Sequence, residues 1–252
     1  MKRLIVLLLA AGAATMLRAQ TDNALLWDRA NTAYVNGDYR AAIERYDSIL
    51  GSGQASVKLY YNLGNACFKS GEIGRSILNY NRALRLAPSN SDIRYNLTIA
   101  QSYTKDNIEK MPEFFVLRWL RAVRTLLGSN AWAWMSLGLL ALALASALLY
   151  LLSGRMSLRK TGFYGAIVLG TLFIFSAANA SIERGEMFDS SHAIVLNNAV
   201  PVKSSPDEQS KDIFVLHEGT SVEIVSRLGA WCEISIANGN KGWIPASAIE
   251  VI

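Results

Sequence analysis

The order of apolar and polar positions divides the chain into five stretches. Leu4–Ala14 is an apolar run behind Lys2 and Arg3. From Asn23 to Tyr103 the chain reads as a series of short helices, punctuated by Gly37, Gly71 and Pro88. Glu113–Leu127 is a helix with two unlike arcs at about 100° per residue. Arg118, Arg121 and Arg124 share one arc, and Phe115, Val116, Trp119, Leu120, Val123, Leu126 and Leu127 share the other. Ala131–Leu152 and Thr161–Ser181 carry no charge, and each is long enough to cross a hydrocarbon core of about 30 Å. From Ser191 the pattern turns to strands. Ala193–Leu196, Ile213–Leu216, Ser221–Val225 and Trp231–Ile236 are short apolar runs between Gly, Asn and Pro turns. Asn238-Gly239 signals a hairpin, and about five strands in this stretch predict a small β-barrel.

Val57–Asn90 places Tyr60, Leu63-Gly64, Gly71, Ser76, Tyr80, Ala83 and Pro88 at offsets that resemble the tetratricopeptide repeat, two antiparallel helices in 34 residues. A shift of one repeat backwards gives Asn23–Ser56, with Leu26, Ala30, Gly37-Asp38-Tyr39, Ala42, Tyr46 and Ile49 in register. Small residues fall where paired helices touch: Ala30 and Ala42, then Gly64 and Ser76. Two repeats leave an apolar face open, because about three are needed for a stable stack. Ser91–Tyr103 repeats the Tyr61-Asn62-Leu63 motif as Tyr95-Asn96-Leu97 and reads as a capping helix; the repeat region with its cap spans 23–110.

The resemblance implies a concave groove lined by the first helix of each repeat. In the first repeat it draws on Ala24, Trp27, Asn31, Tyr34 and Val35, and in the second on Lys58, Tyr61, Asn65, Phe68 and Lys69. Asp92, Tyr95, Ile99 and Tyr103 extend it on the cap. Aromatic rings supply contact area and Asn amides can satisfy a peptide backbone. Asn31 and Asn65 also suit plain packing between helices. Trp27 stands where a carboxylate-clamping repeat would place a cation, which argues against that kind of clamp.

Ser190–Ile252 resembles the bacterial SH3 family through Val202, Ser204 and Pro206, the run Phe214–Thr220, Val222, Trp231, Ile234 and Gly242-Trp243-Ile244-Pro245. Members of that family bind cell-wall peptides or proteins, or serve as structural additions. Trp231 and Trp243 are the candidate ligand contacts, with burial in a small barrel as the competing reading.

A formal net charge of +5 with 51% apolar residues raises nucleic acid or membrane as partners. The cations do not form one block. Arg118–Arg124 and Arg155, Arg159, Lys160 flank the long apolar runs, which points to a membrane surface and away from nucleic acid. Residues 1–19 read as a signal peptide or an uncleaved anchor, with Leu17-Arg18-Ala19 as the cleavage site. The expected topology exports the repeats, lays 113–128 in the membrane interface or docks it on the repeats, spans at 131–152 and 161–181, and leaves 153–160 as a cytoplasmic loop. Trp132 and Trp134 would form an outer aromatic belt, and Ala141/Ala145 with Ala166/Gly170 would pack the hairpin. Neither span holds an ionisable residue, so nothing supports transport. Cys67 and Cys232 lie in separate modules, and neither they nor His192 and His217 sit in a recognisable catalytic or metal-ligand context; no cofactor, metal or catalytic residue is expected.

The fold expected is therefore a multi-domain membrane protein: an all-α tetratricopeptide solenoid, a two-helix transmembrane hairpin and a C-terminal all-β SH3-like barrel. This order resembles the BatE family, the repeat-containing members of the aerotolerance operon of Bacteroidetes and relatives. Asn31, Asn65 and Arg94-Tyr95-Asn96-Leu97 contribute to the resemblance. It implies a non-enzymatic scaffold in the bacterial inner membrane, with periplasmic modules, von Willebrand factor A-type partners and a MoxR-type ATPase nearby. The alternative is a peptidoglycan-binding targeting or sensor subunit; a wall peptidase would need a nucleophile and base that the sequence does not display.

Overall fold

The computed structural model describes residues 22–108 and 114–252. The expected leader and the link around Pro112 lie outside the described residues. The described chain forms two compact units. One contains residues 22–83, 92–108 and 191–252, and the other 84–91 and 114–190.

In the first unit, helix α1 covers 22–35, followed by α2 (Tyr39–Gly51), α3 (Val57–Ser70), α4 (Ile73–Leu86) and α5 (Ser91–Gln101). Local chemistry sets their ends. Asp38 caps α2 by accepting from the Ala41 N–H, and Ser56 caps α3 by accepting from the Leu59 N–H. Gly37 and Gly71 adopt φ of 81° and 85°, the left-handed conformation that closes the preceding helix. The expected close contact is present: the Ser76 hydroxyl donates to the Gly64 carbonyl at 2.9 Å, and a Cβ on Gly64 would meet the Tyr80 ring at 2.8 Å. Ala30, Ala42, Leu63, Ala66 and Cys67 form the core of the stack with Tyr46. Each large apolar side chain buried here contributes about 1.5–3 kcal/mol.

The C-terminal part of this unit has seven strands: β1 (His192–Val195), β2 (Ala199–Lys203), β3 (Asp212–His217), β4 (Ser221–Leu228), β5 (Trp231–Ser235), β6 (Lys241–Pro245) and β7 (Ile249–Val251). All pairings are antiparallel, in the order β3-β2-β6-β5-β4-β1-β7. The Asn238-Gly239 hairpin joins β5 to β6, with Gly239 at φ 87°. The expected barrel is not closed: β3 and β7 remain the two edges of an open sheet. Register shifts at Val202/Lys203 and Ile224/Ser226 bend it around the Val202, Leu216, Val222, Ile234 and Ile244 core.

Repeat-domain residues occupy places where closure would otherwise be needed. The Asp106 carboxylate accepts from the His217 N–H at 2.7 Å and from the Thr220 hydroxyl at 2.6 Å, and bonds the His217 ring nitrogen Nδ1 at 2.6 Å. Ile108 packs against the sheet core. Arg82 of α4 donates to the Val251 carbonyl and pairs with Glu250 on the other edge strand. In return Glu218 accepts from the Gly74 N–H at 2.6 Å, in the first turn of α4. The first repeat caps itself with Asp38. In the second, Glu72 stands at that place and bonds Arg75, so the sheet supplies the acceptor. Gly74 permits the approach, because a Cβ there would lie 2.7 Å from the Glu218 side chain and 3.1 Å from the Val195 carbonyl oxygen. The matching residue in the first repeat is the exposed Arg40.

In the second unit, α6 (Phe115–Arg124) leads to α7 (Ser129–Leu152) and α8 (Met156–Phe188). Both α7 and α8 are long and apolar enough to cross a membrane. The segment 153–160 is not a loop throughout: α8 begins at Met156, so Arg159 and Lys160 stand on its first turns. At its other end α8 continues past Ser181, and its 33 residues extend about 50 Å. The hairpin contact also differs from expectation. Ala141 and Ala145 are exposed, and nothing approaches Gly170. The close approach is at Gly162, where a Cβ would lie 2.6 Å from the Tyr150 backbone nitrogen and 2.7 Å from the Ser146 carbonyl oxygen. Nor do both tryptophans form a belt. Trp132 is buried edge-on against Phe175 and donates to the Arg124 carbonyl, while Trp134 is 75% exposed. Arg124 pairs with Glu183 at 2.9 Å and also with Glu186, tying the end of α6 to α8. No α6 residue is buried, and Phe115, Leu117 and Trp119 are exposed.

Two outcomes test the junction in the first unit. Gly74→Arg, which installs the residue of the first repeat, is expected to raise amide exchange at His217 and Thr220 about ten- to a hundredfold, the range of one lost charged hydrogen bond. Helical circular dichroism should stay constant; unchanged exchange would show that Gly74 does not govern docking. Acid should act on Asp106. Burial alone would raise its pKa, but bonds from Thr220 and from the His217 backbone and ring outweigh this and hold it below the ordinary value. Its contribution is therefore complete above about pH 4, the unfolded reference, and is lost as pH falls through the lower folded value. The drop in unfolding midpoint between about pH 4.5 and 3 should be smaller in Asp106→Asn than in the parent chain.

Candidate functional site

The groove residues come from α1 and α3, and a repeated hydrogen-bond ladder positions them. The Tyr46 hydroxyl and the Asn62 amide both donate to Asn31 Oδ1, at 2.7 and 3.1 Å. One repeat later, the Tyr80 hydroxyl and the Asn96 amide both donate to Asn65 Oδ1, at 2.6 and 3.2 Å. The Asn96 amide also donates to the Tyr61 hydroxyl at 2.9 Å. Both readings of Asn31 and Asn65 thus have a share: the carbonyl oxygens are consumed by packing. The Nδ2 groups have no partner among the described residues, so each Asn can offer N–H donors. The roles of Asn62 and Asn96 were not foreseen from the motif they belong to; their equal spacing from Asn31 and Asn65 was the available signal.

The aromatic residues surround this ladder. Trp27 packs edge-on against Tyr46 at 5.7 Å, Tyr61 lies 6.1 Å from Tyr80, and Phe68 meets Tyr103 edge-on at 5.3 Å. Tyr34 packs on Tyr39; burial first, then the neighbouring phenols of Tyr39 and Tyr61, push its pKa up. Trp27, Asn31, Tyr34, Tyr61, Asn65 and Phe68 are all half-buried, so each retains some accessible surface. Trp27 also lines an open cleft of about 510 Å³ with Asn23, Ala24, Gln54 and Leu59. Lys58 and Lys69 are exposed at opposite ends of α3, about 16 Å apart along its axis. They cannot converge on one carboxylate, which fits the absence of a clamp pattern.

The second candidate surface is on the sheet. In β5 and β6 the inward residues are Cys232, Ile234, Gly242 and Ile244. Trp231 and Trp243 point the other way, half-buried on the outer face and not in the core. Trp231 is opposite Pro245 and Leu228, and Trp243 is opposite Glu233 and Lys203. The two rings are therefore diagonal neighbours on one face, at a backbone separation of about 7–8 Å. Glu233 accepts from Ser226 at 2.9 Å, and Lys203 pairs with Asp212 at 2.7 Å. Leu228, Glu233 and Pro245 were not foreseen as part of this surface; the alternation in Trp231–Ser235 carried the signal.

Cys67 is fully buried and burial pushes its thiol up to about 12, so it is not poised as a nucleophile. Cys232 is also buried, and both are free thiols. Among the described residues no group of three His, Cys, Asp or Glu side chains is placed to hold a metal ion.

Comparison with known families agrees with this geometry. Residues 28–91 match the tetratricopeptide repeat, and residues 198–250 match the bacterial SH3 domain. The chain matches no curated protein. The protein thus joins a tetratricopeptide repeat region and a bacterial SH3 domain in one chain, with two helices of membrane-spanning length between them.

Proposed function

We propose that this protein is a membrane-anchored, non-enzymatic adaptor that binds a segment of another protein in its repeat groove. The observation that carries this reading is the pair of Asn31 and Asn65 side chains. Each is locked through its oxygen and, among the described residues, has its Nδ2 donors unengaged, beside the Trp27, Tyr34, Tyr61 and Phe68 rings. Fixed donors beside aromatic surface suit an extended peptide, since ordering costs have already been met. The buried, high-pKa Cys67 supports a role without catalysis. The apolar α7 and α8 support anchoring, and the exposed Phe115, Leu117 and Trp119 beside the α6 arginines support a helix lying in the membrane interface. Arg155, Arg159 and Lys160 at the hairpin turn favour a cytoplasmic turn, with repeats and sheet on the periplasmic side of the bacterial inner membrane. The module order favours a place in a Bat-type aerotolerance complex with von Willebrand factor A-type partners.

Asn65→Asp tests the groove better than alanine would, because it keeps the oxygen that serves Tyr80 and Asn96. Co-purification of partners is expected to fall about tenfold or more, with the unfolding midpoint nearly unchanged. Equal recovery from the variant would exclude Asn65 as a ligand contact.

A second reading, wall binding, is favoured by Trp231 and Trp243 sharing the outer face of the sheet. Aromatic faces with flanking polar groups suit peptide stems or sugar rings. The parent chain should then be retained on purified peptidoglycan, and Trp231→Ala with Trp243→Ala should abolish retention. No retention by the parent leaves the sheet as a protein-binding or structural element.

A further inference from the structure

We propose that the turn of the α7–α8 hairpin is a binding site for the phosphodiester headgroup of an anionic phospholipid; the site rests on the membrane-spanning reading above. An open cleft of about 360 Å³ lies there, lined by Tyr150, Met156, Arg159, Lys160, Phe163 and Tyr164. The Arg159 guanidinium stacks over the Tyr150 ring at 5.4 Å, which holds its charge at the cleft. Phe163 packs between Tyr150 and Tyr164, at 5.7 and 5.5 Å, and completes an aromatic wall. The walls cannot drift apart without losing the backbone approach at Gly162.

Among the described residues no carboxylate pairs with Arg155, Arg159 or Lys160. No Asp or Glu occurs from Phe114 to Ile182, so neither the turn nor the adjoining helical segments can neutralise Arg155, Arg159 and Lys160. These cations also crowd the N-terminal end of α8, the end of a helix dipole that disfavours positive charge. An anion held in the cleft removes both penalties. The lining selects the source of that anion. Met156 and Phe163 provide apolar surface beside the cations, which suits a headgroup with its glycerol and upper acyl carbons. A soluble anion would gain nothing from that surface. A zwitterionic headgroup would bring its own ammonium against three cations.

The test uses the full chain in mild detergent micelles, with lipid retention read by native mass spectrometry. Phosphatidylglycerol is expected to be retained well above phosphatidylcholine. Each of Arg159→Gln and Lys160→Gln should weaken that retention about fivefold, the effect of one cation near a charged headgroup. Arg40→Gln, at an exposed position of α2, should leave it unchanged. Arg159→Lys, which keeps charge and removes the planar stack, should fall between the parent and Arg159→Gln. Equal retention of the two lipids overturns the proposal. So does displacement of phosphatidylglycerol by equimolar inorganic phosphate, which would indicate a soluble-anion site. Alkaline carbonate extraction separates the hairpin from the lipid site: release of the parent chain from membranes overturns the hairpin reading and the site with it. Retention in the membrane without lipid preference overturns the site alone.

Discussion

A carboxylate that accepts from both main chain and side chains needs a rigid setting, and Asp106 has one. Its two oxygens engage the His217 N–H, the His217 ring and the Thr220 hydroxyl, all at the end of β3 and the turn that follows. An open sheet leaves edge groups without strand partners, and each such group is costly when buried and unmatched, at about 1–3 kcal/mol. The exchange runs both ways. Asp106 and Arg82 satisfy groups on the edge strands, and Glu218 satisfies the first turn of α4. Each module supplies what the other lacks, so repeats and sheet form one compact unit although more than a hundred residues separate the partners in sequence.

This coupling shapes what the unit can bind. The Asn–Tyr ladder leaves the groove asparagines as donors only, and the rings around them are already packed on their neighbours. The groove is thus pre-organised and short, since the stack ends with α5. The tryptophans of the sheet sit on its outer face because the β5–β6 register directs Cys232, Ile234 and Ile244 inward. Both candidate surfaces belong to one body held by the same clasp.

The hairpin obeys a different constraint. In the membrane-anchored reading proposed above, helices gain little from burying Leu against Leu, and close backbone approach takes over. Gly162 provides it. The paired Arg124, Glu183 and Glu186 lie toward the end of α8, while Arg155, Arg159 and Lys160 gather at the turn. The uncharged interior of the hairpin agrees with anchoring.

Much of this organisation was legible in the chain. Gly37 and Gly71, the Gly37-Asp38-Tyr39 run, and the small residues at Gly64 and Ser76 announce the repeats because their effects are local or recur at fixed spacing. Ser91–Tyr103 was legible as a capping helix through Tyr95-Asn96-Leu97, and the helix runs over Ser91–Gln101; the apolar lengths of α7 and α8 follow from composition. Short apolar runs between turn residues placed four of the seven strands. Which small residue joins α7 to α8 was not legible, because Ala141, Ala145, Ala166, Gly170 and Gly162 are all small and helix rotation decides which of them faces the partner helix. Trp132 looked like an interfacial residue until Phe175 and the Arg124 carbonyl enclosed it. Sequence alone determined most of the elements, their order and their apolar faces, since these depend on neighbours within one helix turn or one strand. Tertiary structure decided that the sheet stays open, that Trp231 and Trp243 face outward together, and that Gly74 receives Glu218. Those outcomes depend on pairings between distant segments, which no local period encodes.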